Sequence, residues 1–196
     1  MREVELKSVA ADPERIVQQL LAAQAEFLLE GRLSDTRYDT PDRALLARDH
    51  VLRLRAFDGK PASYVTLDWK GPTGFDRGYK VREEISTQIG DATTLAQMLG
   101  QLGYVVIREI DRAITQAEFH GATVRVERYP RMDALVEIEG EPEAIEAAIA
   151  ALQLDRAGFT SERLADFVLR FEARTGQRAA LCDRELGGDY RYATNA

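Results

Sequence analysis

Run after run of this chain alternates apolar residues with charged ones, and the charged positions are filled almost exclusively by Arg, Lys and Glu. In an extended strand successive side chains face opposite sides of the sheet. Glu3, Glu5 and Lys7 therefore share one face against Val4 and Leu6. Arg53 and Arg55 oppose Leu52 and Leu54, and Lys80, Arg82 and Glu84 oppose Val81 and Glu83. Arg125 and Glu127 oppose Val124 and Val126, and Glu137 and Glu139 oppose Val136 and Ile138. One such face suits a sheet with one side in water. Repeated without the Ser, Thr and Gln that dilute exposed faces, it suits a closed sheet. Its charged positions would then line one cavity, with helices covering the apolar outside.

That cavity constrains its own contents. A wall of Arg and Lys repels itself unless an anion pairs with it. A polyphosphate supplies the missing charge, and guanidinium forks match phosphate oxygens two at a time. The carboxylates then suit Mg²⁺ or Mn²⁺, hard ions that take oxygen ligands and bridge to phosphate.

The rest of the chain supports one domain of this kind. Tyr64–Lys70 is rich in β-formers, and turn signals at Asp58-Gly59, Gly71-Pro72-Thr73-Gly74 and His120-Gly121 are short enough to set neighbouring strands antiparallel. Helices are expected after Asp12-Pro13, from about Ala92 to Leu102 after Asp91, from Pro142, and after Ser161 as a cap, the last ending at Gly176. Two Glu-x-Glu strands, at Glu3 and Glu137, each lead into a helix, as two related halves of one barrel would. The domain is taken as residues 1–176, with 177–196 a C-terminal tail free to fray because it lacks an apolar period.

Composition excludes several function classes. A formal net charge of -7 argues against nucleic-acid or anionic-membrane binding. No apolar run reaches the roughly 20 residues that span a bilayer, and Met1–Glu5 has no secretory apolar stretch, so a cytoplasmic location is expected. Cys182 is the single cysteine, which excludes an internal disulfide and a cysteine-cluster metal site. His50 and His120 sit beside turns and read as surface residues.

Several blocks in order resemble a known family. Glu3, Glu5 and Lys7 look like the N-terminal ExExK strand of the CYTH, or triphosphate tunnel metalloenzyme, family. Asp35-Thr36-Arg37-Tyr38-Asp39-Thr40-Pro41 resembles its D-x-x-Y-D-T-P segment, and Leu52–Arg55 its L-R-x-R strand. Leu67–Pro72 is similar to L-T-W-K-G-P, Lys80–Glu84 to K-x-R-x-E, and Val136–Gly140 to V-E-I-E-G. There are departures too. Glu127 stands where Asp is usual, Ile110-Asp111-Arg112 keeps only one basic residue of a closely spaced pair, and Ser161-Glu162 replaces a frequent S-Y. No lysine follows Lys80 to close the tunnel from the C-terminal side.

The resemblance implies an α+β fold, a closed antiparallel eight-stranded β-barrel with a charged interior and helices packed outside. It implies that Lys7, Arg53, Arg55, Lys70, Lys80, Arg82 and Arg112 grip the phosphates. Glu3, Glu5, Glu127, Glu137 and Glu139 would hold Mg²⁺ or Mn²⁺, with Lys7, Arg55 and Glu137 closest to the chemistry. The implied activity is that of a class IV adenylate cyclase, ATP going to cyclic AMP and pyrophosphate. The alternatives are a triphosphatase acting on tripolyphosphate, a nucleoside triphosphate or thiamine triphosphate, and a polyphosphate-binding module without turnover. Small-molecule triphosphates are the expected partners, with neither nucleic acid nor membrane, and a homodimer is left open.

Overall fold

The computed structural model describes residues 2–192, with side chains from Val4 onward. Its strands are β1 (Arg2–Val9), β2 (Glu26–Asp39), β3 (Val51–Lys60), β4 (Tyr64–Lys70), β5 (Gly74–Asp76), β6 (Tyr79–Gln88), β7 (Val105–Phe119), β8 (Ala122–Arg128) and β9 (Leu135–Glu139). They hydrogen-bond in the order β1-β9-β8-β7-β2-β3-β4-β6, and β1 pairs back onto β6. Eight antiparallel strands therefore close into a barrel, with β5 an extra strand along β6. This is the expected architecture.

The two longest strands, β2 and β7, are not among the runs singled out by alternation. Register shifts between Phe27/Leu29 and Arg37/Tyr38 interrupt their pairing, and a bulge breaks the period of two. The turn at His120-Gly121 is as expected, with φ of 53° and 76°, the two left-handed positions of a tight hairpin. Asp58-Gly59 differs. It lies inside β3, where Gly59 pairs with Gly31 of β2. A Cβ on Gly31 would stand 2.2 Å from the Asp58 carbonyl oxygen, so glycine serves here to let two backbones approach, not to turn the chain.

The helices are α1 (Pro13–Ala22), α2 (Ala92–Gln101), α3 (Pro142–Ala151), α4 (Leu164–Thr175) and α5 (Asp183–Leu186), of which α1, α2 and α3 cover the outward apolar strand faces. Asp12 and Asp91 cap α1 and α2 by accepting from the amides of Arg15 and Thr94, each at 2.9 Å. The last long helix begins later than Ser161. Thr160 exchanges backbone hydrogen bonds with Lys7 at 2.8 and 2.9 Å, which holds that stretch extended, and α4 starts after Arg163, whose amide donates to Asp166.

The apolar strand faces look outward, as the alternation predicts. Leu6, Val124, Val126, Val136 and Ile138 pack under Ile16 and Leu20 of α1 and Ile145 and Ile149 of α3, all essentially buried. Tyr38 and Leu54 pack under Leu99 of α2. Removing each large aliphatic side chain from water contributes about 1.5–3 kcal/mol. A third, smaller cluster of Leu33, Phe57 and Ile114, backed by Leu29 and Tyr64, lies on the inward faces, as their cross-strand partners show.

Residues 177–192 are docked against the barrel. Ala180 pairs with Arg131 in both directions, and the Leu181 carbonyl accepts from the amide of Asp111 at 2.6 Å. Pairing of β7 to β8 begins only at Ala113, so this segment fills the seam between the start of β7 and the chain after β8. Ala180, Leu181 and Cys182 are buried there.

Candidate active site

Cross-strand partners share a face, so the register fixes what lines the lumen. Asp35 lies opposite Arg55, and Arg37 opposite both Arg53 and Arg108. Arg53 lies opposite Asp68, and Lys70 opposite Glu84. On the other wall Glu5 faces Lys80 and Glu139, and Lys7 and Arg125 both face Glu137. The charged faces read from alternation thus meet inside one barrel. The apolar cluster of Leu33, Phe57 and Ile114 occupies the same inner surface beyond Asp35, Arg55 and Arg112.

Two anionic hubs organise the basic side chains. Asp35, 2% exposed, accepts from Arg55 Nε and Nη2 at 2.8 and 3.1 Å and from Arg112 Nη1 at 3.1 Å, with Arg53 Nη1 at 3.5 Å. Burial alone would raise its pKa, but Arg55, Arg53 and Arg112 hold the carboxyl well below the usual range. Arg112 continues the chain of pairs, its Nε donating to Glu127 at 2.8 Å, and Tyr129 donates its hydroxyl to Glu127 at 2.5 Å.

The second hub surrounds Lys7. Its Nζ lies 2.5 Å from Glu137 and 2.9 Å from Glu5. Lys80 pairs with the same Glu5 oxygen, and Arg125 Nη1 lies 2.7 Å from Glu137. Burial works against the Lys7 ammonium, yet Glu137 and Glu5 more than offset it and raise its pKa above the lysine range. Glu137 is likewise buried, and Lys7 and Arg125 keep it ionised well below its ordinary value. Lys80 moves the other way, lowered by burial and then by Lys7.

The structure brings together Glu5, Lys7, Arg53, Arg55, Lys70, Lys80, Arg82, Arg112, Glu127, Glu137 and Glu139 on the inner face. The side chain of Glu3 lies outside the described residues, although its backbone pairs with Arg82. Arg82 is tied to the wall by donating to the carbonyls of Gly71 and Asp49 at 2.7 and 2.6 Å. Lys70 pairs with Glu84. Arg37, Asp68, Arg108 and Tyr129 also reach the interior and were not singled out. Arg37 was visible inside the D-x-x-Y-D-T-P segment, whereas Arg108 sits in β7, whose strand character the alternation did not reveal.

Among the described residues no three acidic or imidazole side chains already stand together as a metal cluster. The carboxylates of Glu5 and Glu137 instead converge on a cation of the chain itself, the Lys7 ammonium. They are hard oxygen donors that already hold positive charge, which fits Mg²⁺ or Mn²⁺ by chemistry.

The CYTH domain family matches residues 1–157. The chain belongs to that family. A Methanocaldococcus jannaschii protein named "Putative adenylate cyclase" is 34% identical over 104 residues, 53% of this chain and 57% of that protein. The aligned part thus spans little more than half of that relative. Among solved structures, the PH1819 protein from Pyrococcus horikoshii superposes with a TM-score of 0.70 at 24% identity, covering 86% of this chain and 98% of that one. A Hippeastrum protein named "Putative adenylyl cyclase" and described as having a dominant triphosphatase activity superposes with a TM-score of 0.60 at 14% identity, covering 92% of this chain and 98% of that one. At these identities the two structures speak to the fold. No helix among the described residues is long and apolar enough to cross a membrane.

Proposed function

We propose that this CYTH protein is a divalent-metal-dependent enzyme that holds a triphosphate in the barrel lumen and converts ATP to cyclic AMP and pyrophosphate. The observation that carries the reading is the pairing, in one closed interior, of a basic tier at Arg53, Arg55 and Arg112 with the carboxylates of Glu5 and Glu137 around Lys7. The name of the Methanocaldococcus relative supports cyclisation as the reaction.

In this reading Glu5, Glu127, Glu137 and Glu139, with Glu3, would hold Mg²⁺ or Mn²⁺, and a bound ion would supply charge withdrawal from phosphate oxygens and orientation of the attacking oxygen. The chain's own residues do the rest by position and charge. Arg53, Arg55 and Arg112 present guanidinium forks to the phosphate chain, with Lys70, Lys80 and Arg82 along the same lumen. Lys7, held as ammonium by Glu137 and Glu5, is suited to stabilise developing negative charge and not to accept a proton. The 3′ hydroxyl gives up its proton to water as its oxygen bonds to the α-phosphorus, the bond from that phosphorus to the α–β bridging oxygen breaks, and the charge left on pyrophosphate faces the basic tier.

A second reading, hydrolysis of a terminal phosphate by water, is favoured by one feature. Of the lumen-facing aromatic rings named above, Phe57 and Tyr64 pack on each other with centroids 5.3 Å apart and Tyr129 is tied to Glu127, which offers a nucleobase little surface. One incubation separates the two. With Mg²⁺ or Mn²⁺ the purified protein is expected to convert ATP to cyclic AMP and pyrophosphate, and tripolyphosphate is incubated alongside it. Orthophosphate as the main product selects the triphosphatase, and no turnover of either substrate removes the catalytic reading.

A further inference from the structure

Three arginines stand side by side on the inner wall at one register. Arg37 of β2 lies directly opposite Arg53 of β3 on one side and Arg108 of β7 on the other. Directly opposed like charges destabilise a sheet, so each guanidinium needs a counter-charge. Arg53 has Asp68 at 2.8 Å and Asp35 at 3.5 Å. Arg108 has Glu185 of α5 at 3.5 Å, a buried carboxylate that also accepts from the Leu181 amide at 2.6 Å. Arg37 has neither an ion pair nor a hydrogen bond from its guanidinium among the described residues, and its Nε is sealed from solvent without a partner. Burial, and then the neighbouring guanidiniums, lower its pKa to about 10 against the pull of Asp35.

We propose that Arg37, flanked by Arg53 and Arg108, is an additional oxyanion subsite of the lumen that takes one phosphoryl group of the bound substrate. A half-buried guanidinium with five donors, a sealed Nε and no hydrogen-bonded acceptor is matched by a tetrahedral oxyanion, whose oxygens accept from a fork in pairs. Strand order strengthens the assignment. In the ring β1-β9-β8-β7-β2-β3-β4-β6, strand β2 lies halfway round from β1, so Arg37 is on the wall opposite Lys7 and its carboxylates. A phosphate chain held at Lys7 on one wall would have a second cationic anchor across the lumen. The subsite rests on the triphosphate reading for its ligand, but the unpaired arginine does not depend on which reaction follows.

The test is calorimetric titration of tripolyphosphate in metal-free buffer with wild type, Arg37→Gln and Arg37→Lys, alongside unfolding of each without ligand. Arg37→Gln is expected to weaken tripolyphosphate on the order of ten- to a hundred-fold, the range of hydrogen bonds to charged groups. Arg37→Lys, which keeps the charge and loses the fork, falls between. Without anion, Arg37→Gln should melt at or above the wild-type temperature, because a like-charge contact has been removed. Unchanged affinity in Arg37→Gln overturns the proposal, as does a fall in Tm of the ligand-free Arg37→Gln and Arg37→Lys proteins that accounts for their weaker binding. Orthophosphate alone separates this from the functional reading. If it raises the Tm of wild type but not of Arg37→Gln, the subsite stands even where no triphosphate is turned over.

Discussion

Arg112 joins the two halves of the charged interior, and its removal has a calculable consequence. Its side chain is 6% exposed and bridges Asp35 and Glu127, each 2% exposed. Arg112→Leu keeps much of the volume but leaves both carboxylates short of a partner. Breaking a buried pair from one side costs about 3–5 kcal/mol. Asp35 keeps Arg55 and Arg53, and Glu127 keeps the Tyr129 hydroxyl, so the lower end, about 3 kcal/mol, is expected. For a chain of this length that corresponds to a fall in Tm of roughly 6–12 °C. The loss should also depend on pH. Burial raises the pKa of Asp35 and Glu127, and the basic neighbours bring both below their ordinary values. That stabilisation is present above the unfolded carboxylate pKa and is lost as pH falls through the folded one. The gap between wild type and Arg112→Leu is therefore widest near neutrality and narrows as the carboxylates protonate. Urea unfolding at pH 7 and at pH 3, below the ordinary carboxylate range, measures it. A difference below about 1 kcal/mol at pH 7, or one equal at both pH values, would refute the buried-bridge reasoning.

Three further outcomes are expected. Gly31→Ala should destabilise the fold by about 1–3 kcal/mol, since its Cβ would meet the Asp58 carbonyl; chemical denaturation checks this, and a neutral effect would mean that β2 and β3 can part freely there. Cys182, 3% exposed with its thiol pushed up by burial, should resist an aromatic disulfide reagent until the protein unfolds, and prompt labelling would show that the docked segment opens readily. Glu137→Gln should abolish turnover and weaken Mn²⁺ binding, read by calorimetry, by more than about tenfold, since even outer-shell partners are worth that much; unchanged Mn²⁺ affinity would remove Glu137 from the ligand set.

The faces of the strands were legible in the sequence because a period of two survives wherever a strand is regular. Glu5, Lys7, Arg53, Arg55, Lys80, Arg82, Arg125, Glu127 and Glu137 all fall on the inner wall that alternation assigns them. Where the backbone shifts register the signal fails, and β2 and β7 carried Asp35, Arg37 and Arg108 inside without announcing them as strand residues. Pairing of charges was also hidden. Nothing local says that Arg82 is spent on two backbone carbonyls, or that Glu185 reaches Arg108, because those contacts link distant stretches. The same holds for residues 177–192, whose anchor is the edge of β7 left open by β8 and not an apolar period of their own.

The central claim is that the lumen is where the triphosphate and its metal bind. A crystal structure of the protein with a non-hydrolysable triphosphate and Mn²⁺, with anomalous scattering to locate manganese, tests it directly. A manganese peak is expected beside the carboxylates of Glu5 and Glu137, with phosphates among Lys7, Arg55 and Arg112. A triphosphate seated on the outer surface, or an empty lumen at saturating ligand, would contradict it.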